Sequence, residues 1–176
     1  MPAASTAIRA GGEAQGSRPT NEQVWRAIAR ASFAVISGVT PAGAPRSSGV
    51  VYTIVGRRMY VAVAPDSWKA RQIAVNGRVA VTVPVRRGGV LALLFPIPPA
   101  TVSFHATAIV HPAGSAGSEA LSEARERLGP LVPAERRDSS AIIEIVPEGR
   151  FLTYGVGVPL MQLRNPAIAG ARVPVS

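Results

Sequence analysis

Along this chain apolar and polar residues alternate with period two in some stretches and recur with helical spacing in others. The two patterns meet most tightly at 59–85. Met59, Val61 and Val63 share one face and Tyr60, Ala62 and Ala64 the other, as in a half-buried strand. Pro65 stops that strand, Asp66 or Ser67 can cap a helix by accepting a free backbone N–H, and 68–75 follows with helical spacing. Asn76-Gly77 reads as a terminator that tolerates the left-handed conformation, and Val79, Val81, Val83 and Val85 then resume alternation. The unit is strand, short helix, strand.

Upstream, Thr20 to Gln23 matches a capping box, predicting a helix from Asn21 to about Ala31 with Val24, Ala27, Ile28 and Ala31 inward. Strands are expected at 33–39 and 46–55, joined by the turn residues 40–45, with Gly56-Arg57-Arg58 turning into the next strand. Downstream, 100–110 is a long strand whose second face is polar and includes His105. Residues 118–128 form an amphipathic helix with Leu121, Ala124 and Leu128 inward. Two closing strands, 141–146 and 150–154, are linked by Pro147-Glu148-Gly149. The expected fold is mainly β with α: a small antiparallel barrel of six to seven strands with flanking helices, rather than a βαβ sheet.

Length and composition fit one domain, since 176 residues with 47% hydrophobic and 16% charged can build a core. Residues 1–18, rich in Ala, Gly and Ser, read as a disordered arm before a single domain at 19–176. The run 90–99 is the most apolar. It is too short to span a bilayer, and is expected to lie over a pocket or under a partner subunit. The tail 155–176 is too apolar to be free and is expected to pack on its own barrel or on the partner's.

The net charge of +9 raises the question of a polyanionic partner. The arginines, however, fall singly or in pairs at turns, such as Arg57-Arg58, Arg86-Arg87 and Arg136-Arg137, and aromatic residues are too few for a stacking platform. Neither nucleic acid nor membrane is an expected partner. Without cysteine there is no disulfide, thiolate metal site or cysteine nucleophile, and a cytoplasmic protein is the simplest reading. His105 and His111 would stand about 20 Å apart along an extended strand, too far to share a metal, so no metal site is expected. His105 is either an ordinary hydrogen-bonded histidine or one that approaches a cofactor edge, and Glu144 reads as an outward strand residue in preference to an interface ion. No catalytic acid, base or nucleophile stands out.

The candidate chemistry lies at the start of the central helix, where Ser67, Lys69 and Arg71 accompany backbone N–H groups that have no intrahelical acceptor. Lys69 is the only lysine in the chain. Such a place suits a phosphate, although the same spacing also describes a solvated first turn. The phosphate reading gains from Arg46-Ser47-Ser48-Gly49-Val50-Val51, the strand at 59–64, Ser67-Trp68-Lys69-Ala70-Arg71-Gln72-Ile73 and Asn76-Gly77-Arg78-Val79-Ala80-Val81. Together they resemble the pyridoxamine 5'-phosphate oxidase-like family of flavin-binding split β-barrels.

That resemblance implies FMN or the deazaflavin coenzyme F420 as cofactor, with contacts from Arg46, Ser48, Val63, Ala64, Pro65, Ser67, Trp68, Lys69 and Arg71. It also implies a homodimer with cofactor sites at the interface. Trp68 departs from the family pattern, in which pyridoxamine phosphate oxidases proper carry arginine there, and this points away from that activity and toward the deazaflavin or a permissive site. Two functions follow. One is an oxidoreductase moving hydride to or from a small organic substrate; the other is a non-catalytic carrier, or a binding protein for another anionic or tetrapyrrole ligand.

Overall fold

A computed structural model describes residues 18–86, 99–163 and 165–176. The expected arm, apart from Arg18, and all of the apolar 90–99 run except Pro99 lie outside the described residues. Helix α1 (Asn21–Arg30) starts with the expected capping box, Gln23 N–H donating to Thr20 Oγ1 and Thr20 N–H to Gln23 Oε1. Its inward face adds Trp25 to Val24 and Ile28. The strands are β1 (Phe33–Val39), β2 (Pro45–Val51), β3 (Thr53–Val55), β4 (Arg58–Val63), β5 (Arg78–Val85), β6 (Ala100–His111), β7 (Ala141–Tyr154) and β8 (Gly170–Pro174). Between them lie α2 (Trp68–Val75), α3 (Glu119–Leu128) and the single turn α4 (Pro166–Ala169). No described helix is long and apolar enough to cross a membrane.

Hydrogen bonding runs in the order β2-β1-β5-β6-β7-β4-β3, with β8 also on β7 and every pair antiparallel. Because β3 follows β2 in the chain after one residue, the two ends of this order are covalently joined and the sheet closes into the antiparallel split barrel. Alternating inward residues fill it, among them Ile36, Met59, Val61, Val81, Val83, Val102, Phe104, Ile143, Ile145 and Phe151. Phe151 meets Trp25 and Phe104 edge-on at ring centroid distances of 5.3 and 5.4 Å, the geometry aromatic quadrupoles favour. A second cluster lies outside the barrel, where Leu121, Ala124 and Leu128 of α3 cover Val55, Tyr60 and Ile142.

The strand inventory differs from the pattern reading in three places. The stretch 46–55 is broken at Tyr52, whose side chain is buried and donates its hydroxyl to the Ile28 carbonyl at 2.6 Å. Burial keeps this phenol far above its ordinary ionisation range, so it remains a neutral donor. Residues 141–154 form one strand through Pro147, where the residue was expected to end it. A register shift between Ser103 and His105 on β6 takes up the irregularity, and Gly149 adopts φ 67°. The tail adds β8 to β7, and Asn21 Nδ2 clamps it by donating to the carbonyls of Pro174 and Val175 at 2.7 and 2.8 Å. Met161 in the same tail is 90% exposed.

The end of α2 also differs. Asn76 is extended, at φ −139°, rather than left-handed, and Gly77 is not among the positive-φ glycines. Gly77 is there for space: a Cβ would sit 2.5 Å from the Ala108 carbonyl oxygen, and the Gly77 carbonyl accepts the Ala108 N–H at 2.7 Å. This close approach ties the end of α2 to β6. Gly77→Ala is expected to lower unfolding stability by about 1–3 kcal/mol in denaturant titration through the clash. Gly129→Ala, at φ −49° with nothing within 4 Å of its Cβ, should be neutral or stabilising by up to about 1 kcal/mol.

Candidate functional site

The break at Tyr52 sets up the site. Up to Val51 the chain pairs with β1, and from Thr53 it pairs with β4, so β2 and β4 diverge without bonding to each other. The wedge between them is a cleft of about 390 Å³, lined by Gly49–Val51 of β2, Val61–Ala64 leaving β4, and Ser67 and Lys69 at the start of α2. Its far wall is Leu128, Leu131, Val132, Pro133, Arg136 and Ser140, from the end of α3 and the two 3₁₀ turns that follow it. The size is at the lower end for small-molecule clefts, and the walls are apolar with few polar groups, as such sites usually are.

Ser67 caps α2, accepting the Ala70 N–H on its hydroxyl at 3.3 Å. The Trp68 and Lys69 amides have no acceptor among the described residues. Lys69 reaches back across the cleft edge to donate to Ser48 Oγ at 3.2 Å. Arg46 stacks its guanidinium on Trp68, 4.3 Å from the ring centroid, and the Lys69 ammonium lies 5.5 Å from the same ring. Arg46, Lys69 and Arg136 have no ion-pair partner among the described residues. Three cations without counterions around an apolar cleft form a positive field that an anion would satisfy.

Of the residues implicated from the sequence, Val63, Ala64, Ser67 and Lys69 line the cleft, and Ser48 touches it through Lys69. Arg46 and Trp68 stack beside it. Trp68 faces a smaller hollow with Ile36, Gly38, Gln72, Ile73 and Val79. Pro65 and Arg71 lie outside: Pro65 is exposed in the turn before α2, and Arg71 is two helix positions from Lys69, about 200° around the axis, with its side chain in solvent. His105 is exposed on the outer face of β6. The far wall was missed. From the sequence Arg136 is one of a pair of arginines at a turn, and no local pattern marks it, because it reaches the cleft only through the packing of α3.

Glu144 needs correction as well. It is 7% exposed, and its carboxylate accepts from Arg58 of β4 and from His111 Nε2 at 2.7 Å, with the Tyr60 hydroxyl at 3.4 Å. The side chain points outward from the barrel as expected, but α3 packs over that face, so it is buried and held by partners. Burial pulls this carboxyl up, and the hydrogen bonds from Arg58 and His111 more than reverse that, leaving it below the usual range. Tyr60 is raised, by burial first and by the neighbouring carboxylate second.

The architecture is an antiparallel split barrel with a cationic cleft at its split. Residues 20–153 match the family model described as Pyridoxamine 5'-phosphate oxidase, and the chain belongs to that family. No curated protein is close enough in sequence to count as a relative. Among solved structures it is similar to a heme binding protein from Mycobacterium smegmatis, with 19% identity and a TM-score of 0.61. That match covers 78% of this chain and 55% of the other, so the chain spans just over half the length of that protein. HutZ, the heme storage protein from Vibrio cholerae, matches at 16% identity and a TM-score of 0.58, covering 77% and 95% of the two chains. An F420 reductase matches at 21% identity and a TM-score of 0.51, covering 72% and 93%. At these identities the likeness shows the fold.

A carboxylate whose folded value is depressed stabilises the fold fully above its ordinary value of 4.5, and the contribution disappears as pH falls through the lower folded value. Glu144→Gln is therefore expected to lose about 1–3 kcal/mol at neutral pH, moderated because the Arg58 side chain is half exposed. Its melting temperature should also fall less steeply than that of the unmodified protein between about pH 5 and about pH 3. Thermal melts across that range check both.

Proposed function

We propose that this protein is an oxidoreductase that holds FMN or the deazaflavin coenzyme F420 in the cleft between β2 and β4 and acts on a small organic substrate. The observation that carries this reading is the set of groups at one end of the cleft that meet no anion among the described residues: the Lys69 ammonium, which rests on the Ser48 hydroxyl at 3.2 Å, and the free amides of Trp68 and Lys69. The ammonium and the two amides are donors at the start of α2, where a phosphate would be received. Val50, Val61 and Val63 supply an apolar wall for a planar ring system and exclude water from it. Trp68 adds no cation at the phosphate end, which favours the deazaflavin over tightly retained FMN.

The bound cofactor would supply hydride chemistry. The chain's own part is to bind and orient: Lys69 neutralises the phosphate, Ser67 fixes the first turn of α2, and the valines set the ring plane. No carboxylate or imidazole lines the cleft among the described residues, so protons are left to solvent. The heme-binding neighbours raise a tetrapyrrole as the alternative ligand. Among the described residues the cleft lining offers no imidazole, thiolate, thioether or phenolate as an axial ligand, and this supports the flavin-type reading.

The working unit in this reading is a homodimer with a cofactor site at each end of the interface. Val51 and Leu131 at the cleft mouth are 47% and 57% exposed, and Phe33 and Met161 are exposed as well. A second subunit would cover such surface. Sedimentation at micromolar concentration is expected to give a dimer, and a monomer that retains cofactor would overturn this. Lys69→Ala should weaken FMN and F420 binding about ten- to a hundredfold and leave the ligand-free melting temperature unchanged, with Lys69→Arg intermediate. Spectroscopic titration with each cofactor checks this, and unaltered affinity for both would sink the phosphate site.

A further inference from the structure

We propose that Arg136 forms a second anion subsite in the cleft, and that it selects a cofactor carrying a carboxylate chain beyond its phosphate. This inference rests on the reading of Lys69 as the phosphate end. Arg136 belongs to the 3₁₀ turn Ala134–Arg136, with its own N–H donating to the Pro133 carbonyl at 2.9 Å. Its carbonyl accepts the hydroxyls of Ser140 at 2.7 Å and Ser139 at 3.2 Å. Ser140 is 7% exposed and immediately precedes Ala141, which pairs with Val63 at the end of β4. The turn is thereby fastened to the strand end from which the chain runs on to Ser67 and Lys69, and two cations from separate elements line one cleft.

The guanidinium is unspent. Arg137 beside it donates to the Val132 carbonyl, whereas the Arg136 side chain makes no hydrogen bond or ion pair among the described residues, and Glu135 and Asp138 are exposed without reaching it. Lys69 and the free amides already suffice for one monophosphate. A second cation of a different kind is then surplus for FMN. Guanidinium presents a planar fork that pairs with a carboxylate through two bonds, which an ammonium cannot do. F420 carries carboxylates on the chain beyond its phosphate, and the cleft is too small to enclose them, so they would run outward along the wall that Arg136 shares with exposed Leu131.

The test is the affinity of the full chain for FMN and for F420, measured by spectroscopic titration in the unmodified protein and in Arg136→Ala, Arg136→Lys, Lys69→Ala and Arg30→Ala. Arg136→Ala is expected to weaken F420 about tenfold or more and FMN by less than about threefold, with Arg136→Lys between the two for F420. Lys69→Ala should weaken both. Arg30→Ala removes one charge from exposed α1 and should weaken neither, separating a local contact from the overall positive field. Equal effects of Arg136→Ala on both cofactors, or none on either, would overturn the subsite while leaving the phosphate site standing. Failure of the unmodified protein to bind either cofactor would overturn the proposed function and the subsite with it.

Discussion

The hydrogen bond from the Tyr52 hydroxyl to the Ile28 carbonyl marks the corner on which this barrel turns. A strand inside a barrel bonds to a neighbour on each side, and a stretch that changes neighbours midway must leave a gap at the change. Residue 52 is that change, pairing lying with β1 before it and with β4 after it. A buried phenol needs an acceptor, and the end of α1 supplies one at the point where the helix leaves the barrel. The corner thus couples α1 to the sheet and holds β2 and β4 apart. The cleft is the space that remains.

Charge is distributed over this framework in two ways. On the outer face, Arg58 and His111 converge on buried Glu144, so the ends of β4, β6 and β7 are joined beneath α3 by paired charges. Around the cleft, Arg46, Lys69 and Arg136 have no counterion among the described residues. The first arrangement has the character of structure and the second that of an incomplete binding site, since a positive field in an apolar cleft favours an anionic ligand. The two are mechanically connected. Glu144 lies under the same face on which α3 packs, and α3 runs through Leu128 into the turns that carry Arg136.

Much of this was legible from period and punctuation. Alternation at β1, β4, β5 and β6, helical spacing at α1, α2 and α3, and the caps at Thr20 and Ser67 place most elements within a residue or two, because each signal is local to the segment that obeys it. Lys69 stood out for the same reason: a lone ammonium in the first turn of a capped helix carries its chemistry in its immediate neighbours. Gly77 was flagged but explained wrongly, since the reason for a glycine there is a carbonyl thirty-one residues away.

The sequence by itself therefore determined most of the strands, the three longer helices, the barrel class and which residues stand at one end of the cleft. Tertiary structure alone decided where strand 46–55 breaks, that 141–154 runs on through Pro147, that Glu144 is buried, and that Arg136 faces Ser67 and Lys69 across a common space. The physical reason is one of range. Alternation says which face a side chain takes but not what covers that face, and a residue such as Glu144 reads as solvated until α3 is laid over it. Arg136 lies sixty-seven residues from Lys69 in the chain, and only the pairing of Ala141 with Val63 brings their two segments to the same strand end.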